Sequence, residues 1–218
     1  MKIVISLGGS ILDDGKKIQE FADVFEKISR DHKLFIVVGG GKVARKYIST
    51  ARELGADETF CDYIGIAVTR INAMLLIAAL KSAPRKVPEE FITAYELSKT
   101  YPIVVMGGTF PGHTTDATAA LLAEFVNADL FLNATSVDGV YSDDPKVNRN
   151  AIKYSKLSPS ELVSIINKAA MRAGVNVVMD LLAAKIIERS KIRTVVFLGE
   201  PENILKIING ERIGTLIE

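Results

Sequence analysis

Three glycine clusters raise the first chemical question in this sequence. Gly8-Gly9-Ser10, Gly39-Gly40-Gly41 and Gly107-Gly108-Thr109 each follow a short apolar run with strand character. Glycine at a strand end lets main-chain N–H groups approach an anionic oxygen with no Cβ in the way, and the N-terminus of a following helix adds partial positive charge. One such turn is an ordinary strand-to-helix connection. Three on one sheet edge are expected to present backbone to a polyphosphate or nucleotide, because ligands of open α/β sheets bind outside the carboxyl ends of the strands.

Phosphate chemistry also needs positive charge and orienting groups. Lys42, Arg45 and Lys46 fall on the first turns of the helix after the second cluster, Arg70 on a later helix, and Lys185 in Asp180-Leu-Leu-Ala-Ala-Lys185. Each, taken alone, reads as a solvated surface charge. Asp116 opens a helix after Thr114-Thr115, where its carboxylate can cap that helix while facing the glycine edge. The stretch before it, Thr109, Phe110, Pro111, Gly112, His113, Thr114 and Thr115, holds more hydroxyl, turn and aromatic groups than a plain crossover needs, and substrate recognition accounts for them better. His113 reads as a loop residue, since neither a nucleophile elbow nor further metal ligands accompany it.

Thr135 to Pro145 (TSVDGVYSDDP) brings three carboxylates together with Tyr141. It reads either as a polar turn with Asx hydrogen bonds or as an adenosine pocket, with Tyr141 beside the base and a carboxylate accepting from amino or ribose groups. Its spacing is not that of a calcium loop. Two familiar nucleotide patterns give opposite answers. Gly41-Lys42 is followed by Val43, and Ile36 stands where a P-loop has its first glycine, so that pattern fails. Gly39 to Ala44 fits G-x-G-x-x-A, which keeps a nicotinamide-dependent oxidoreductase as a rival; against it, Asp57, Glu58 and Asp62 precede a helix instead of ending a strand.

The elements that must position these groups alternate. Apolar runs at Lys2 to Leu7, Leu34 to Val38, Pro102 to Met106, Asp129 to Ala134 and Arg193 to Leu198 read as strands. Helical patterns fall at Lys16 to Asp31, Val43 to Leu54, Asp62 to Lys81, Glu90 to Thr100, Asp116 to Val126, Pro159 to Lys168, Asp180 to Ser190 and Pro201 to Asn209, with a short last strand at Gly214 to Ile217. This is the pattern of an α/β fold on a mainly parallel sheet. With 218 residues, 48% hydrophobic, no repeat and no long linker, a single domain over 1–218 is expected. The net charge of +1 argues against nucleic acid as the main partner. Cys61 is the only cysteine and reads as a small, partly buried thiol. The N-terminus has no signal-peptide pattern, and the apolar run at Ala73 to Leu80 is far short of the roughly 20 residues a membrane helix needs. A cytoplasmic protein with no membrane partner is the expectation.

Taken in order, Ile3 to Leu12 (IVISLGGSIL), Val37 to Tyr47 (VVGGGKVARKY), Asp62 to Ile66 (DYIGI), Gly107 to Ala120 (GGTFPGHTTDATAA) and Asn133 to Pro145 (NATSVDGVYSDDP) resemble the amino acid kinase superfamily, and within it the archaeal branch of UMP kinases. The resemblance implies a three-layer αβα sandwich and Mg²⁺-dependent transfer of the γ-phosphoryl of ATP to UMP in pyrimidine nucleotide biosynthesis, by a hexamer. It implies that Gly8, Gly9 and Ser10 meet ATP phosphates, that Gly41 and Arg45 lie beside the triphosphate, and that Gly40 touches the acceptor. It also implies that Asp62 holds the UMP ribose, that Thr109 to Thr115 wrap the UMP phosphate and base, and that Thr135, Tyr141 and Asp144 surround the adenosine. Asp116 resembles the superfamily aspartate that organises neighbouring cations, and Lys185 a lysine that steadies the transferred phosphoryl. The metal is implied to come with ATP, without direct protein ligands. The acceptor side falls mainly in 1–134 and the ATP side in 135–218. The chain departs from bacterial relatives in the first strand, where their K-L-S-G-E is replaced by Ser6-Leu7-Gly8-Gly9-Ser10, leaving Lys185 or Lys42 to supply the main cation. Within the superfamily, isopentenyl phosphate kinase is the nearest alternative, but it has a histidine soon after its second glycine cluster and Lys42 to Lys46 contains none. N-acetylglutamate, carbamate and aspartate fit the nucleotide-like loops less well. A nucleotide sensor without catalysis is a further reading from another class.

Overall fold

In the computed structural model of the chain, near-continuous runs of β-branched and other apolar residues build the central sheet. The structure describes residues 1–12, 14–145, 147–170 and 178–218. The strands are β1 (Lys2–Leu7), β2 (Lys33–Val38), β3 (Ile103–Met106), β4 (Leu130–Thr135), β5 (Lys156–Leu157), β6 (Thr194–Leu198) and β7 (Thr215–Ile217). They form one sheet in the order β3-β2-β1-β4-β6-β7-β5. All pairings are parallel except β6 with β7.

Because successive strand side chains point to opposite faces, both faces are apolar and each takes a layer of helices. Ile3, Ile5, Leu7, Ile36, Val38, Ile103, Val105 and Leu132 face one way. They pack on α1 (Gly15–Ile28), α3 (Glu58–Ala79) and α8 (Pro201–Ile208). Val4, Phe35, Val37, Val104, Met106, Phe131 and Val196 face the other way, onto α4 (Phe91–Thr100), α5 (Thr115–Phe125), α6 (Pro159–Ala170) and α7 (Leu181–Ser190). The remaining helix, α2 (Gly41–Glu53), lies along α3. This is the expected αβα sandwich.

Three local features differ from expectation. The two-residue β5 is too short to be seen in a sequence pattern, and β7 pairs antiparallel with β6 although α8 lies between them in the chain. Helix α3 begins earlier than expected, capped by Asp57, whose carboxylate accepts from the Phe60 amide at 2.8 Å. It has the length and composition of a membrane span, and only one side is buried, by Cys61, Ile66, Val68, Ala73, Leu76 and Ile77. Phe60, Tyr63, Ile71, Met74 and Leu75 are exposed. The apolar content of this helix therefore serves two faces, not one.

Candidate active site

The first two glycine clusters meet. The turn after β1 and the turn after β2 come so close that a Cβ on Gly9 would overlap the Gly41 nitrogen and the Gly39 carbonyl, and one on Gly39 would stand 2.8 Å from the Gly9 nitrogen. Gly41 opens α2 with φ +64, a left-handed conformation that L side chains adopt with strain. Asn72 on α3 steadies this junction by donating to the Gly39 carbonyl at 2.8 Å. Glycine here is a packing requirement of two crossing backbones, and it leaves their amides at the edge of a cleft.

That cleft, about 770 Å³, is lined by Gly8, Gly9, Ser10, Gly40, Gly41 and Arg45 at one end and by Thr135, Tyr141 and Asp144 at the other, with Thr115 and Asp116 between. Eleven of the sequence-derived candidates thus come together. They do so because β1 lies between β2 and β4 in the sheet, so the loops after all three strands open at one edge.

Asp116 occupies the floor. The expectation that it caps its own helix is not met: Thr114 is the N-cap of α5, its hydroxyl accepting from the Ala117 amide at 3.1 Å. The Asp116 carboxylate instead accepts from the Ser6 hydroxyl of β1 at 2.7 Å. Desolvation pushes its pKa up to about 6, against the lowering effect of the Ser6 hydrogen bond, and the nearby Asp180 carboxylate raises it further. Asp180 caps α7, accepting from the Ala183 amide at 3.0 Å, and also accepts from the Thr114 hydroxyl. The N-termini of α5 and α7 are thereby tied across the cleft floor.

On the opposite wall, Tyr141 donates to Asp138 at 2.7 Å, and Lys153 holds the second oxygen of Asp138 at 2.7 Å, which keeps that carboxyl below its usual range. Asp143 accepts from the Asp144 amide at 2.9 Å and from the Asn148 side chain at 3.1 Å, and the Thr135 hydroxyl accepts from the Val137 amide at 3.1 Å, so the segment that lines the cleft is also a polar turn held by side-chain-to-backbone hydrogen bonds, its two-residue turn made by Thr135.

The third glycine cluster does not join the other two. Gly107 and Gly108 are buried against α3, where a Cβ on Gly107 would stand 2.8 Å from the Arg70 nitrogen. The Gly108 amide donates to the Thr69 hydroxyl at 2.8 Å. These glycines let β3 end against a helix; they do not present amides to a ligand. Arg70 is likewise engaged, donating to Glu89 at 2.6 Å and to the Gly108 carbonyl at 3.4 Å.

Beyond the cluster, Thr109, Phe110, Pro111, Gly112, His113 and Thr114 form a surface loop outside the cleft lining. Phe110 is 61% exposed, and its ring centroid lies 6.4 Å from that of His113. Asp62 ties the loop to α3 by accepting from the Gly112 amide at 2.8 Å. Lys185 is not brought to the cleft: it lies five residues beyond Asp180, about 140° further round the helix, and its ammonium pairs with Glu188 at 2.9 Å.

The cleft also contains residues that sequence reasoning missed. Asn133 on β4 donates to the Val178 carbonyl at 3.2 Å, and Ile165, Ile166, Lys168 and Ala169 of α6 form a wall. Asp180 had one sequence signal, its place as an acidic N-cap. The α6 residues had none, because only the sheet order brings that helix to the β1 edge.

This geometry has relatives. The amino acid kinase family model matches residues 1–198. A uridylate kinase of Archaeoglobus fulgidus is 65% identical over 218 residues, covering 100% of both chains. One of Methanocaldococcus jannaschii is 50% identical over 225 residues, again covering 100% of both. Among solved structures, the uridylate kinase from Archaeoglobus fulgidus superposes with a TM-score of 0.94 at 64% identity, covering 100% of each chain. The UMP kinase from Bacillus anthracis gives 0.82 at 29% identity, with 100% of this chain and 95% of that one covered. With the family model matched over residues 1–198 and relatives matched over the full length, the chain belongs to the amino acid kinase family.

Proposed function

We propose that this chain transfers the γ-phosphoryl group of ATP to the phosphate of UMP, giving ADP and UDP. The observation that carries the reading is the junction of Gly9 and Gly41, which closes one end of a cleft of about 770 Å³ that also holds Arg45, Thr115 and Asp116. The full-length likeness to uridylate kinases selects the acceptor.

In this reading a UMP phosphate oxygen forms the new bond to the γ-phosphorus while the bond from that phosphorus to the β–γ bridging oxygen breaks, with no covalent enzyme intermediate. The chain holds the reactants in line and stabilises charge. The amides around Gly9, Ser10 and Gly41, with Arg45, take the triphosphate; Thr135, Tyr141 and Asp144 take the adenosine; Gly40, Asp62 and the Thr109–Thr115 loop take UMP. Mg²⁺ bound with ATP would supply neutralisation of the phosphate charge at the end of the cleft lined by Gly9, Ser10, Gly41 and Arg45. This phosphate end fits such a complex, being lined by backbone amides and Arg45, which bind phosphate oxygens and not metal ions. Lys168 and Arg45 both line the cleft and are the cations best placed to act, in preference to Lys185.

We further propose one domain over 1–218, with the acceptor side mainly in 1–134 and the ATP side in 135–218, acting in the cytoplasm within pyrimidine nucleotide biosynthesis. A hexamer is supported by the exposed stripe Phe60, Tyr63, Ile71, Met74 and Leu75, which follows helical spacing along α3. Light scattering on the purified protein tests the assembly. The activity is tested by a coupled ADP-release assay with ATP, Mg²⁺ and each acceptor in turn. UMP as the best substrate is expected, and turnover with isopentenyl phosphate, N-acetylglutamate, carbamate or aspartate but not UMP would overturn the assignment.

A further inference from the structure

Ser6 stands at the C-terminal half of β1, 2% exposed, and does not line the cleft. A hydroxyl so placed can reach a substrate only through another group, and its partner is the Oδ1 oxygen of Asp116 at 2.7 Å. Among the described residues no hydrogen bond or ion pair reaches the other Asp116 oxygen. We propose that Ser6 is a positioning residue, whose hydroxyl fixes the Asp116 carboxylate on the cleft floor as an anion, one oxygen held and the other left for the cationic groups that gather around the phosphates. This role rests on the phosphoryl-transfer reading above and deepens it.

The surroundings of Asp116 explain why a neutral donor is needed. Helix α5 packs on β1, β2, β4 and α7. From β1 comes Ser6, with Lys2 at the far end of the strand donating to the Val126 carbonyl. The nearby side chains of β4, Asn133 and Thr135, are uncharged. Strand β2 has its one charge, Lys33, at the distant end, bonded to the Ser98 carbonyl. The closest charge on α7 is Asp180, of the same sign, while Lys185 and Arg189 further along pair with Glu188 and Glu124. Across the cleft stand Arg45, Lys168, Asp143 and Asp144, none of them hydrogen-bonded to Asp116 among the described residues, and His113 lies in the loop that leads into α5. Burial and Asp180 both favour the protonated form of Asp116, and the Ser6 hydrogen bond opposes them. A charge-assisted hydrogen bond of this kind changes a carboxyl's proton affinity by about tenfold.

Ser6→Thr and Ser6→Val add the same volume and differ only in the hydroxyl, so comparing them separates positioning from packing. Ser6→Ala adds no volume and carries the same expectation as Ser6→Val should the bulkier pair fail to fold. In the substrate-free protein, carboxyl carbon NMR should show Asp116 titrating near pH 6, unchanged in Ser6→Thr and at distinctly higher pH in Ser6→Val and Ser6→Ala. In UDP formation, kcat of Ser6→Val at pH 6.5 should be about threefold below that of Ser6→Thr, the gap closing by pH 8.5, with KM for ATP little changed. An Asp116 titration that is the same with and without the hydroxyl overturns the proposal whatever the acceptor is. Absence of UDP formation by the unaltered protein removes the acceptor assignment and leaves the titration to decide the role of Ser6.

Discussion

The ATP-side cleft and the acceptor loop lie at one sheet edge but are built in opposite ways. The cleft begins at a junction where the Gly9, Gly39 and Gly41 backbones touch, held by Asn72 and floored by Asp116. The acceptor loop is exposed and is tied to α3 by the bond from Gly112 to Asp62. Strand ends in a buried sheet are rigid because every neighbour is packed; a loop with few contacts is drawn from the low-stability end of the structure. The difference teaches that the glycine end of the cleft is fixed by backbone packing as the sheet folds, whereas the loop proposed to hold the acceptor rests on a tie to α3.

The largest expected effect therefore comes from the junction. Gly9→Ala forces a Cβ into the Gly41 nitrogen, and moving the two turns apart by even about 1 Å should lower kcat/KM on the order of 100-fold, with a fall in thermal stability. A Gly9→Ala protein with normal turnover and melting temperature would break the picture of a preassembled junction.

Next is Asp116→Asn, which should lower kcat on the order of 100-fold while making the fold more stable. The folded-state pKa of Asp116 is raised, to about 6, so the native protein binds this proton more tightly than the unfolded chain does. Its contribution is favourable at low pH and turns into a penalty as pH rises through the interval from the unfolded value to about 6, complete above it. Allowing for the solvent in the cleft, Asp116→Asn should be stabler by about 1–2 kcal/mol at pH 8 and by little at pH 4. Urea unfolding at both pH values checks this; an equal gap at both would contradict it.

The tie of the acceptor loop predicts a smaller and different change. Asp62→Ala should raise KM for the acceptor roughly tenfold, as loss of about one hydrogen bond implies, and leave KM for ATP unaltered. A change in the ATP constant instead would mean that the two regions are not separable. Smallest of all is Lys185→Ala. With its ammonium paired to Glu188 outside the cleft, turnover should stay within about twofold, the range of a surface ion pair; a large loss would restore it to the reaction.

Much of the fold was legible because near-continuous apolar runs too short for a helix, such as Ile3 to Leu7, read as strands buried on both faces, and helices with an acidic cap, such as the one after Asp180, announce their starts. The site was legible where function and backbone geometry coincide, as at Gly9 and Gly41. It was misread where glycine serves packing: Gly107 and Gly108 look like phosphate turns in sequence, yet the side chain of Thr69, 38 or more positions earlier, claims their space. The position of Lys185 outside the cleft lining was not legible, since its pairing with Glu188 depends on side-chain geometry that the sequence does not show. Ile165, Ile166 and Lys168 were invisible, since their approach to the cleft depends on β4 pairing with β1.

The most direct test is a crystal structure with a non-hydrolysable ATP analogue and UMP bound together. The expected result places the β- and γ-phosphates against the Gly9, Ser10 and Gly41 amides, with the UMP phosphate between Gly40 and a reordered Thr109–Thr115 loop, in line with the γ-phosphorus. Phosphates lying away from the glycine junction, or the two nucleotides bound apart, would contradict it.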